Sequence, residues 1–109
     1  MFNVDANPEF THTVRVQVPV DGGHEEQTFK ARFRLVEDDV NESVNFNRPS
    51  EIIEYLRTII VSFDDLADKD KKPIQYNDSV RDQMLKMAHV RIALLRTYRD
   101  ARSKERLGN

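Results

Sequence analysis

The side chains best able to ligate a metal or move a proton are the histidines at positions 12, 24 and 89, and no two of them lie within helical-turn spacing. No metal site is expected from them. His24 follows Gly23 and suits a solvated turn, while His89 suits packing or capping between the last two helices. The carboxylates Asp64, Asp65, Asp68 and Asp70 invite a calcium loop. Counting from Asp68, however, the sixth position is Pro73 where glycine is needed, and the twelfth is Ser79 where a bidentate glutamate belongs. Asp38 and Asp39 could form an acid pair, but their polar surroundings offer no apolar burial to raise the pKa of one of them. With only three glycines there is neither a Gly-x-Ser-x-Gly elbow nor a phosphate-binding glycine loop. The expectation is therefore a protein that is not an enzyme and needs no cofactor.

Cations offer more. Arg91 to Arg106 holds six of them against Asp100 and Glu105, and the N-terminal part adds Arg15, Lys30, Arg32 and Arg34. Such a surface could meet phosphates, giving a nucleic-acid-binding regulator as one alternative. It lacks the aromatic residues that stack on bases and any reader-helix or RNA-binding motif. A solvated helix face with local ion pairs is the plainer reading. Charge by segment suggests another: net charge is −1 over residues 1–36, −7 over 37–70 and +6 over 71–109. That polarity favours salt-sensitive self-association.

These residues must be positioned by a single small domain, since 109 residues build one core. No cysteine is present, which excludes disulfides and thiolate chemistry and suits a reducing compartment. Apolar runs are far shorter than the roughly 20 residues of a membrane span. The first ten residues carry Asp5 and Glu9 and lack the basic and apolar regions of a secretory signal. A soluble chain, without a membrane partner, is expected.

Val14, Val16 and Val18 alternate with polar residues, predicting a strand over about 12–18. Asp21-Gly22-Gly23 can reverse the chain, and a second strand follows over about 27–36, with Phe29, Ala31, Phe33 and Leu35 on one side and Lys30, Arg32 and Arg34 on the other. Residues 37–48 show no clear period and are assigned to a loop with room for a short helical turn. Ile52, Leu56, Ile59, Ile60 and Phe63 then recur at helical spacing behind Pro49, predicting a helix over about 50–62. A surface loop over 64–75 precedes Asn77, a good N-cap, and helices over about 78–88 and 90–104. The termini are expected to be disordered. The predicted class is α+β: an N-terminal antiparallel β-hairpin followed by about three α-helices.

The succession of Thr28-Phe29-Lys30-Ala31-Arg32-Phe33-Arg34-Leu35, Ile59-Ile60-Val61-Ser62-Phe63-Asp64-Asp65-Leu66, Pro73-Ile74-Gln75-Tyr76-Asn77, Met84-Leu85 and Val90-Arg91-Ile92-Ala93-Leu94 with Tyr98 resembles the small tail assembly chaperones of long-tailed bacteriophages and prophages. The likeness spans roughly residues 12–102. Many members carry Gly-Trp where this chain has Ser62-Phe63, and a glycine where it has Lys71-Lys72. The resemblance implies a non-enzymatic factor in the cytoplasm of the bacterial host that binds the tape measure protein and keeps it soluble. The factor is then absent from the mature virion. A longer, frameshifted product would recruit the tail-tube protein. A structural tail component retained in the particle is the competing reading. For the partner-binding surface, the last helix is favoured, with Tyr98 as anchor and Arg91, Arg99 and Arg102 steering, because Arg and Tyr are usual at interface hot spots; simple core packing is the plainer role for Tyr98, and solvation for the arginines.

Overall fold

A computed structural model describes residues 1–103. Two twelve-residue strands, β1 (Glu9–Val20) and β2 (Gly23–Arg34), pair in register from Glu9 opposite Arg34 to Val20 opposite Gly23. Asp21 and Gly22 form the turn, and Gly22 sits at φ +78°, a conformation that favours glycine. Val14, Val16, Phe29, Ala31 and Phe33 are buried on one face. The hairpin runs further toward its turn than the alternation predicts, because backbone pairing continues through the polar Glu25 and Glu26. Leu35 does not join the inward row. The strand ends at Arg34, the Leu35 N–H bonds the Pro8 carbonyl, and Leu35 is left 49% exposed while Val36 packs on the core.

Between hairpin and C-terminal helices the structure departs from the predicted order. The segment assigned to a loop contains a short helix, α1 (Asp38–Glu42). The next helix, α2 (Pro49–Ile59), has proline in its first turn as expected but stops before Ile60. Ile60–Asp64 is a third strand, β3, antiparallel to β2, so the sheet order is β1-β2-β3. The β-branched run Ile59-Ile60-Val61 favours extended backbone, and β2 offers it a free edge to pair with. The expected 64–75 loop holds a two-residue ladder, β4 (Leu66–Ala67) with β5 (Pro73–Ile74), closed by Asp68, whose carboxylate accepts from the N–H groups of Asp70 and Lys72.

Helix α3 (Asp78–Leu85) is capped by Asn77, whose side chain accepts from the Val80 N–H at 2.8 Å. Helix α4 (Ala88–Arg102) packs against β1 and α2. The predicted continuation of the last helix to Lys104, and the C-terminal residues beyond it, lie outside the described residues. The class is α+β, a hairpin joined by a third strand and covered by helices. One core unites Val14, Phe29 and Phe33 of the sheet with Leu56 and Ile59 of α2, Leu85 of α3 and Leu94 and Tyr98 of α4. Among the described residues no helix is long and apolar enough to cross a membrane.

The chain's three tyrosines are Tyr55, Tyr76 and Tyr98. Burial pushes all three phenols up from their ordinary value, Tyr55 to about 12. A raised folded-state pKa means the neutral phenol is favoured by the fold. Its contribution is whole below the unfolded value of 10.0 and is lost as pH rises through the higher folded values. In an alkaline titration, tyrosinate absorbance is therefore expected to lag past the ordinary tyrosine range and then rise steeply together with loss of circular dichroism. Ionisation of Tyr55 near pH 10 with the fold intact contradicts this packing.

Candidate functional site

At the turn end of the hairpin the sheet is not fully covered. The inward residues Val16, Val18 and Phe29 continue beyond β3's pairing, which stops at Lys30. Opposite them, the α3–α4 corner contributes Val80, Met84, Met87 and Val90, and the β4–β5 ladder closes a side with Leu66 and Ile74. The result is an open apolar groove of about 320 Å³, bordered by Asp65, Gln83 and His89. Leu85 is the only residue of α3 to be fully buried; Val80 and Met84 are half-buried and Met87 is 38% exposed. A wall of unbranched, polarisable methionines adapts to differently shaped apolar side chains. Such a groove can hold the apolar stripe of an amphipathic helix. Among the described residues no three His, Asp or Glu side chains are grouped as a metal would need.

The residues favoured from sequence lie elsewhere. Tyr98 is 2% exposed, with its ring against Phe33 and Phe10 and its hydroxyl donating to the Arg34 carbonyl at 3.0 Å while accepting from the Val36 N–H at 3.2 Å. It is a core latch, so the surface-anchor reading is corrected. The apolar ring fills the core and a hydroxyl that satisfies two strand-end groups has no reason to face solvent. Arg91 turns back to donate to the Leu85 carbonyl at 2.9 Å, fixing the α3–α4 corner beside the groove. Arg102 lies over the Tyr98 ring at 5.6 Å and pairs with Asp38 at 3.2 Å. Arg99 is exposed. Tyr98, Arg99 and Arg102 do share a small notch of about 120 Å³ with Asn41, Phe46, Tyr55 and Leu95, but Arg91 is not part of it. The Asn41 amide bonds the Tyr55 hydroxyl and, with its oxygen turned toward α4, accepts from the Arg102 guanidinium at 2.8 and 3.0 Å.

On the open face of the sheet the hairpin cations are largely neutralised. Arg32 meets Glu9 at 3.0 Å, Arg15 meets Glu26 at 3.5 Å and Lys30 meets Asp65 at 3.8 Å. Exposed pairs of this kind are weak, and Arg34 makes none among the described residues, so the pairing lowers the net charge of this face without removing its cations.

The groove residues were legible only in part. Val80 and Met84 mark the apolar side of α3 in the sequence and Met87 continues that pattern, yet their incomplete burial depends on how α3 and the start of α4 meet the β4–β5 ladder. No protein-family model matches the chain, and neither a curated protein nor a solved structure does.

Proposed function

We infer that the chain is a non-enzymatic phage tail assembly chaperone. It receives apolar helical stretches of the tape measure protein and keeps that client soluble in the cytoplasm of the bacterial host until tail-tube subunits polymerise around it. The observation that carries the reading is the methionine-walled groove at the turn end of the hairpin, apolar, open and not occupied by any segment of the chain's own described residues. Exposed apolar grooves of this kind on a small domain mark sites that receive partners. The succession of landmarks from Phe29 to Tyr98 supports the choice of client. On this reading the protein is released before the virion matures, and a longer frameshifted form brings the tube protein to the complex.

Co-expression with the tape measure protein encoded beside it tests the proposal. The client is expected to move from the insoluble to the soluble fraction and to co-purify with several copies of this chain. A client that stays insoluble, together with recovery of this chain from purified tails, instead makes it a structural component of the particle.

A further inference from the structure

We propose that the helical face of the domain, formed by α4 and the adjoining α1–α2 surface, is the interface of a two-fold dimer with a second copy of this chain. On α4, Arg96 and Arg99 are exposed, and Ile92, one turn before Arg96, is 55% exposed. Neither arginine makes an ion pair among the described residues, not even with Asp100 one turn away from Arg96. Helix α4 carries four arginines against that single carboxylate. Beside it, residues 37–54 carry six carboxylates against Arg48 alone; Asp38 pairs with Arg102, Glu51 with Arg48 and Glu54 with Arg57, and Glu37, Asp39 and Glu42 make no ion pair among the described residues. There, Val40, Val44 and Tyr55 line a shallow groove of about 380 Å³, edged by Glu51 and Glu54.

The two surfaces are continuous. Tyr55 borders both this groove and the notch that holds Leu95, Arg99 and the 39% exposed Phe46. Among the described residues of one chain they are joined by a single ion pair, Arg102 with Asp38. Opposite charges side by side on one face are what a two-fold axis requires, because the rotation lays each patch on its complement twice over. Ile92 of each copy then meets the apolar floor of the other's groove, and the arginines meet its carboxylate rim. This face is separate from the methionine groove, so dimer formation does not depend on the client reading and leaves that groove open.

The test is charge reversal followed by mixing. By sedimentation at low salt, the wild type is expected to be dimeric and to shift toward monomer at about 0.5 M salt, where exposed pairs are screened. Arg96→Glu/Arg99→Glu and Glu42→Lys/Glu54→Lys proteins are each expected to be monomeric alone, with a dimerisation constant weakened roughly tenfold or more. Mixed together they are expected to form a heterodimer, because one of the two contacts then pairs as in the wild type and the other pairs with its signs exchanged. A second arm is independent of charge reversal. The chain has no cysteine, so Arg96→Cys and Ser50→Cys proteins carry one thiol each, and a flexible thiol cross-linker is expected to join the unlike pair in preference to either like pair. A wild type that is monomeric at low salt overturns the proposal. So does a mixture that yields no heterodimer, or a cross-link that does not prefer the unlike pair.

Discussion

Tyr98→Ala is expected to cost about 3–5 kcal/mol of folding stability, the usual loss for removing a buried aromatic. A domain of this size has only about 5–15 kcal/mol in total. The ring stands between Phe10, Phe33 and Tyr55, and its loss opens the core where sheet, α2 and α4 meet. Tyr98→Phe separates packing from polarity. The ring remains, but the Val36 N–H and Arg34 carbonyl lose their shared partner, which costs about 1–3 kcal/mol for groups left unsatisfied. Thermal melts will show the graded series, each kcal/mol lowering Tm by roughly 4–8 °C. If Tyr98→Phe melts with the wild type, the hydroxyl latch is energetically silent and α4 is held by its apolar face alone.

Met87→Glu is expected to leave stability within about 0.5 kcal/mol of the wild type and yet abolish client solubilisation. Met87 is the N-cap residue of α4, but its side chain is 38% exposed and makes no capping hydrogen bond, so the free protein hydrates the new carboxylate beside the positive end of the helix. A docked apolar helix would bury that charge without a partner, at a cost of several kcal/mol. Each 1.4 kcal/mol is about tenfold in affinity, so the client should leave the soluble fraction on co-expression. Met87→Leu keeps the apolar wall and should retain the client. An unchanged yield with Met87→Glu moves the contact away from this groove even where the wild type does solubilise the client.

The hairpin was legible because alternation of Val14, Val16 and Val18 with polar residues, and a glycine able to take positive φ, have one local solution. The capping of α3 by Asn77 was legible for the same reason. The third strand was not. Ile60 and Phe63 are three residues apart and both buried, the spacing of a helix face. In the structure that spacing arises from an irregularity in the β2–β3 ladder between Arg32 and Phe33: Phe33 pairs with Ile60 and Arg32 with Ser62, so Val61 is the extra residue. One inserted residue turns a period of two into an apparent helical period, and only the partner strand reveals it. Tyr98 shows the same limit. An amphipathic side chain on a basic helix suits either an interface or a core, and what decides is a pair of backbone groups more than sixty residues away.

Ile59 ends α2 and Ile60 begins β3, with no connector between them. The chain therefore has no slack at that junction. One residue gained or lost there would turn α2 by about 100° against the sheet or carry every β3 side chain to the opposite face. Changes of chain length are confined to places where both flanking elements can ignore them, such as the Asp68–Lys72 turn. Length at residues 59–60 is as much a determinant of this fold as the identity of any side chain in its core.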